Sequence, residues 1–155
     1  FMTRRELREH VFCILFTCDF YRPSQEDIKE QTELYFTHMA GDGLDYPPEK
    51  VAEEDRREIV ERVNAITEKM TEIDRMLDET SVGWTTGRMS RTDLTILRIG
   101  VYEMLFDEKI PTGVAINESV LLAKKFGGED SSSFVNGILA KLDRIKGAEK
   151  KEDAR

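Results

Sequence analysis

The sequence predicts an all-α fold of about six to eight helices, in an N-terminal and a C-terminal group that share a core. In most segments, apolar residues recur three and four positions apart, which is the spacing of one buried helix face. Several of these segments follow a Ser or Thr with an acidic residue three positions later, a pattern typical of helix starts. No segment sustains the alternation of a strand, and no hairpin turn joins two β-branched runs.

The first helix follows "TRRE" at Thr3–Glu6, which has the spacing of a capping box, and it runs to about Phe20. Its buried side is predicted from the three-four spacing of four residues: Leu7, Val11, Ile14 and Cys18.

Two further helical segments are predicted before residue 80. Ser24 can cap a second helix that ends near Met39, and the Gly- and Pro-rich "GDGLDYPP" after it forms a loop. Pro48 suits the first turn of a long helical segment that reaches about Glu79, with a break expected near Glu53–Asp55.

The second half begins with a loop, "SVGWTTG", and "SRTD" at Ser90–Asp93 then caps a new helix. "KIPTG" ends that helix, and "VAINESVLLAKKFGG" is a further helix that stops at Gly127-Gly128. "EDSSS" caps the last helix, which is predicted to end near Lys146. The chain therefore divides into an N-terminal helical subdomain (3–80), a C-terminal helical subdomain (81–146) and a mobile polar tail (147–155).

The net charge is −8, which argues against a protein that coats nucleic acid by charge alone. The charge is uneven: Asp45–Glu79 holds 12 acidic and 6 basic residues, whereas Ser119–Arg155 holds 6 acidic and 8 basic. The uneven charge is therefore compatible with a local basic surface on an acidic protein. Cys13 and Cys18 face different ways on one predicted helix, so an unpaired state in a reducing cytoplasm is expected.

The reactive groups of an enzyme do not converge in this sequence. It has two histidines, His10 and His38, and it lacks HExxH, CxxC and a Gly-rich phosphate loop. The carboxylates of Glu53–Asp55 are best explained as a solvated face. We therefore expect no catalytic activity, no metal and no cofactor.

The first helix offers a binding surface instead, because Arg5, Arg8, Phe12 and Phe16 share a second side of it. Guanidinium groups beside aromatic rings suit single-stranded RNA, since cations contact phosphates and rings stack on unpaired bases. The alternative is that both rings pack against a second layer of helices, and the spacing alone favours that alternative.

A turn dipeptide, Asn136-Gly137, stands inside the last predicted helix, where Gly costs about 1 kcal/mol relative to Ala. The simplest hypothesis is structural: Gly137 admits a close neighbouring helix, Asn136 and Asn117 satisfy each other across the contact, and Phe134 is thereby positioned.

Three segments resemble the NusB family of bacterial transcription antitermination factors: "RRELREHVFCILF", "ILRIGVYEMLF" and "IPTGVAINESVLLAKKFGGEDSSSFVNGIL". The match from about Leu94 to Leu142 is nearly continuous, whereas residues 22 to 80 match only in helical character. The resemblance implies an all-α fold of two packed helical subdomains. It also implies a small-subunit ribosomal protein, acting as NusE, as the partner. It further implies joint binding of boxA single-stranded RNA and assembly with other Nus factors and RNA polymerase.

The resemblance also implies site residues. RNA contacts fall on an arginine-rich first helix and two aromatic positions: Arg4, Arg5, Arg8, Phe16 and Phe134. Partner contacts fall on Asp93 and Asp130. The sequence departs from the family at Ser133, where relatives often have a basic residue, and at Thr112-Gly113, so weaker RNA binding without the partner is expected.

Other functions stay open. One is a helical module that assists an RNA-modifying enzyme, and another is a purely protein-binding scaffold with an acidic face. Some family members form homodimers that hide the RNA surface, so a homodimer is a further alternative here.

Overall fold

The computed structural model describes residues 2–18, 24–37 and 46–153, with side chains to residue 149. Within these ranges there are seven α-helices and no strand, which confirms the all-α prediction. The helices are α1 (Arg4–Thr17), α2 (Gln25–Thr37), α3 (Glu53–Glu68), α4 (Met70–Thr80), α5 (Arg91–Phe106), α6 (Thr112–Phe126) and α7 (Ser131–Asp153), with short 3₁₀ turns at Pro48–Lys50 and Thr86–Arg88.

The helix starts follow the sequence signals. Thr3 and Glu6 form the predicted capping box, with the Thr3 amide 2.8 Å from Glu6 Oε1. The Ser24 hydroxyl accepts a hydrogen bond from the amide of Asp27, and the Ser90 hydroxyl accepts one from the amide of Asp93. Each of these side chains satisfies an amide that has no partner within its own helix.

Two compact units divide the chain, residues 1–69 and 70–155. The division lies at Lys69, where α3 ends and α4 begins, and not at the predicted boundary of 80/81. The break expected near Glu53–Asp55 is confirmed, because Val51 and Ala52 are extended between the 3₁₀ turn at Pro48–Lys50 and α3. Glu53–Asp55 form the first turn of α3. Carboxylates at that position interact favourably with the helix dipole, which explains the acidic run.

The first unit is built on α1, which packs against α2 and α3. The predicted apolar side of α1 is confirmed, because Leu7, Val11, Ile14 and Cys18 are all at most 4% exposed. They meet a core from the other helices that includes Ile28, Tyr35, Ile59, Val63 and Ile66.

The second unit surrounds α5, whose residues 94–101 are all buried. Helices α4, α6 and α7 all contact it. The closest approach is at Gly100, where an added Cβ would lie 2.6 Å from Ser119 Oγ and 2.8 Å from Leu139 Cδ1. Gly100 is therefore the residue that lets α6 and α7 pack tightly on α5.

The close helix contact predicted at Gly137 is wrong, whereas the pairing of Asn117 with Asn136 stays a prediction. All three are exposed, and a Cβ added at Gly137 would meet nothing within 4 Å. Val135 and Ile138, which flank this position in the sequence, are buried, but helical spacing places Gly137 on the outer side of α7. Gly137 therefore admits no neighbouring helix.

These two glycines make a matched test. Gly100→Ala is expected to destabilise the protein by about 1–3 kcal/mol, because the new methyl group overpacks a buried contact. Gly137→Ala is expected to stabilise it by up to about 1 kcal/mol, because Ala favours the helix and fills open space. Urea unfolding followed by circular dichroism measures both. Equal effects would contradict the assignment of Gly100 as the tight contact.

The chain end also differs from expectation. Residues 147–153, predicted as part of a mobile tail, continue α7 as helix. The first helix is shorter than predicted, because α1 ends at Thr17 with the extended Cys18 as its C-cap and does not reach Phe20. The end of α2 near Met39, His38 and the start of the acidic Gly41–Lys50 insertion fall outside the described residues. None of the helices in the described part of the chain is long and apolar enough to cross a membrane.

Candidate nucleic-acid interface

The N-terminal end of α1 presents two arginines to solvent. Arg4 and Arg5 are both exposed, immediately after the Thr3 cap. The positive end of the helix dipole lies here, so cations at these positions are mildly unfavourable for the helix itself. Both guanidinium groups can be reached from solution by an anionic ligand.

Arg4 pairs with Glu58 of α3, with its Nη1 2.7 Å from Glu58 Oε1. Both side chains are largely in water, at 60% and 44% exposure. Exposed ion pairs of this kind contribute only about 0–1 kcal/mol. A phosphate can therefore displace Glu58 from Arg4 without a large loss of stability.

The predicted open strip along α1 is wrong at Arg8 and Phe12. Arg8 is 9% exposed and Phe12 is 4% exposed, because packing encloses nearly the whole circumference of α1 from Leu7 to Phe12. Phe16 is half-buried and stacks on Phe12, with ring centroids 5.7 Å apart and an interplanar angle of 24°. The α1 surface, defined here as Arg4, Arg5 and Phe16, is thus shorter than expected, and an RNA contact by Arg8 stays a prediction.

His10 belongs to the core of the first unit. Its Nδ1 is hydrogen-bonded to the Tyr35 hydroxyl, and it is 1% exposed. Burial lowers the pKa of His10 and raises the pKa of Tyr35, since each charged form would be deprived of water. Both groups are therefore neutral near pH 7 and take no part in the α1 surface.

A second candidate surface lies in the second unit, around Phe134 at the start of α7. Phe134 is half-buried, and its ring makes a T-shaped contact with Trp84, with centroids 6.1 Å apart and an interplanar angle of 72°. The Arg88 guanidinium carbon lies 5.6 Å from the Trp84 ring centroid. We call Trp84, Arg88 and Phe134 the Trp84 cluster. The sequence prediction did not include Trp84 or Arg88. A tryptophan in a polar, Gly-containing loop with an arginine nearby is a sequence signal that could have identified them as site residues.

The two acidic residues predicted for partner binding are both in this second unit. Asp130 is exposed immediately before α7, and its carbonyl accepts a hydrogen bond from the Phe134 amide. Asp93 is half-buried in the first turn of α5, and its Oδ1 is buried without a hydrogen bond to any residue that the structure describes. A buried carboxylate oxygen in that condition calls for a donor, which a residue outside the described ranges, a water or another molecule can supply.

The predicted residues thus fall into two groups. Arg4, Arg5 and Phe16 share α1 in the first unit, and Phe134, Asp130 and Asp93 belong to the second unit. In the described part of the chain, no group of three or more His, Cys, Asp and Glu side chains could hold a metal ion.

An all-α protein with these features matches one family in sequence and in fold. The model of the NusB family covers residues 5–144. Over 141 residues the chain is 46% identical to "Transcription antitermination protein NusB" of Agathobacter rectalis, covering 91% of this chain and 99% of the relative. It is 43% identical to the protein of the same name from Lachnoclostridium phytofermentans, covering 91% and 98%. The chain belongs to the NusB family.

Solved structures agree. T. maritima NusB is similar with a TM-score of 0.73 and 30% identity over 92% of each chain. A structure of "Antitermination Factors NusB and NusE in complex with dsRNA" has a TM-score of 0.71 at 22% identity, covering 92% of this chain and 96% of that one, which speaks for the fold alone.

Proposed function

We propose that this protein is a transcription antitermination factor that binds boxA single-stranded RNA together with a small-subunit ribosomal protein acting as NusE. The observation that carries the proposal is the exposure of Arg4 and Arg5 on a capped helix end, where their charge does not favour the helix. Phe16 follows three turns later on the same helix with part of its ring accessible. Cation and ring together are what an unpaired RNA strand needs.

Binding by this α1 surface is local. The whole chain carries a net charge of −8, so long-range attraction to a polyanion is weak. Contacts from a few arginines to particular phosphates must then provide much of the affinity. A partner that adds its own cations would increase the affinity of the pair above that of either protein alone.

Asp93 and Asp130 are the residues we assign to the ribosomal partner. The unsatisfied Oδ1 of Asp93 needs an N–H or O–H donor, which a bound protein can provide. The exposed carboxylate of Asp130 suits a basic protein surface. Relatives named as transcription antitermination proteins support the general function, and the assignment of these two residues rests on their burial and charge.

The proposed mechanism is that of a non-enzymatic adaptor in the cytoplasm. The helical scaffold holds one RNA segment and one protein partner, and no covalent step takes place. The resulting complex joins other Nus factors and RNA polymerase and favours elongation past terminators. Its effect depends on how long the RNA stays bound.

The salt dependence of RNA binding tests the α1 surface. For a single strand, each neutralised phosphate contributes about 0.7 to the slope of log affinity against log salt. Arg4→Ala with Arg5→Ala is therefore expected to lower that slope by about 1.4, as measured by fluorescence anisotropy with a labelled boxA RNA.

A matched control removes the same charge elsewhere in the first unit. Lys29 and Arg57 are exposed on α2 and α3, and changing both to Ala should leave the slope close to that of the unmodified protein. Equal losses in the two double variants would mean that only net charge matters, and the α1 surface would then be rejected.

A further inference from the structure

The loop between α4 and α5 exposes a large aromatic ring. Trp84 is 52% exposed, and it is the single tryptophan of the chain. An exposed indole is unusual because Trp buries more apolar surface than almost any other side chain. Such a ring at the surface calls for a ligand that covers it.

Hydrogen bonds hold this loop on both sides of the ring. The Ser81 hydroxyl lies within hydrogen-bonding distance of two carbonyl oxygens, those of Leu77 and Trp84. After the ring, the Thr86 amide donates to Asp78 Oδ1 at 2.6 Å, and the Arg88 amide donates to the Thr85 carbonyl at 2.9 Å. The exposure of Trp84 is thus fixed by the surrounding backbone.

The surroundings of Trp84 indicate what the ligand is. From Ser81 to Thr92 the sequence contains two arginines, Arg88 and Arg91, and no acidic residue. The Arg88 guanidinium lies over the indole ring, and the Phe134 ring makes a T-shaped contact with the indole. Both arginines are exposed. Two rings with a cation over one of them are complementary to an unpaired nucleotide, whose base stacks and whose phosphate is anionic.

We propose that Trp84 is a stacking platform for an unpaired RNA base, that Arg88 contacts the phosphate next to that base, and that Phe134 supports the indole through the T-shaped contact. This assignment rests on the proposed function and adds a binding residue to it. Phe134 is then part of the interface chiefly through Trp84.

The experiment uses the indole as its own probe, since no other tryptophan contributes to the emission. Titration of the full chain with boxA RNA should quench Trp84 fluorescence. Anisotropy of a labelled RNA should show that Trp84→Ala weakens binding between about five-fold and about 150-fold, the range for loss of one base–aromatic stack. Trp84→Phe should recover most of the affinity, and Trp84→Leu should not.

Val82 provides the matched control. It is apolar, 82% exposed and two residues away, so Val82→Ala should leave RNA affinity unchanged. Circular dichroism and thermal melting check that the Trp84 variants keep the helical fold, which the exposure of the ring favours.

Several outcomes would overturn the stacking assignment. If Trp84→Ala binds RNA normally while the Arg4 and Arg5 double variant does not, the proposed function stands and the platform is wrong. If Trp84→Leu binds as well as the unmodified chain, the contact is apolar and not a stack. Loss of ribosomal-protein binding with intact RNA binding would make Trp84 a protein contact.

Two outcomes concern the unmodified chain. If the chain and its partner together bind no RNA, both proposals fail. If boxA RNA and scrambled RNA quench Trp84 equally, the stacking platform stands and selectivity for boxA is rejected.

Discussion

Replacing Asp74 by Ala is expected to lower the free energy of unfolding by about 3 kcal/mol, the low end of the range for breaking a buried ion pair. Asp74 of α4 accepts two hydrogen bonds from Arg98 of α5: Nε to Oδ1 at 2.9 Å and Nη2 to Oδ2 at 2.7 Å. The Arg98 side chain is 5% exposed and that of Asp74 is 24% exposed. Without the carboxylate, a buried guanidinium loses a charged, doubly hydrogen-bonded partner, while the partial exposure of Asp74 limits the loss.

Urea unfolding measures this loss, and the same helix provides a control. Glu72 is exposed on α4, so Glu72→Ala should change stability by less than about 0.5 kcal/mol. The double variant Asp74→Leu with Arg98→Met should recover much of the stability, because an apolar pair of similar volume leaves no charge buried. If the single variant Asp74→Ala is as stable as Glu72→Ala, the ion pair does not hold α4 on α5.

A second large effect is expected at the corner between α6 and α7. A Cβ added at Gly127 would lie 2.5 Å from Ser131 Cβ and 2.7 Å from the Ala123 carbonyl oxygen. Neither contact can be relieved by rotating a flexible side-chain end, because one partner is backbone and the other is attached to it. Gly127→Ala is therefore expected to cost about 3 kcal/mol, at the upper end for overpacking, and to displace the start of α7 that carries Asp130 and Phe134.

Gly128 is the natural control for this prediction, since a Cβ added there would meet nothing within 4 Å. Gly128→Ala should leave both the thermal midpoint and RNA affinity nearly unchanged, whereas Gly127→Ala should lower both. If the two variants unfold at the same temperature, the corner does not require the close approach that the structure shows.

Much of this fold could be predicted from the sequence because its signals are local. The caps at Thr3, Ser24 and Ser90 and the buried side of α1 depend only on residues within a few turns. The boundary at Lys69 could not be predicted in this way. No Gly or Pro lies near Lys69. The backbone conformation changes there and interrupts the helix, but the neighbouring residues give no sequence signal for that change.

The site was predicted less completely, for a physical reason. Helical spacing shows that Arg5, Arg8 and Phe12 share a side of α1, but only tertiary packing decides that Arg8 and Phe12 are covered. The same limit applies to the glycines: Gly100 and Gly137 both stand inside apolar helical segments, yet only Gly100 faces its neighbours. Trp84 was not predicted as a site residue because its loop was interpreted only as a division between helices.

The bonded loop that carries Trp84 has a consequence for energetics. Its backbone is already ordered in the free protein, so the entropy lost in fixing it belongs to folding and not to association. A partner that covers the indole then gains nearly the full contact free energy. Substitutions at Asp78 or Ser81, which touch no ligand, would weaken association by returning that loop to many conformations.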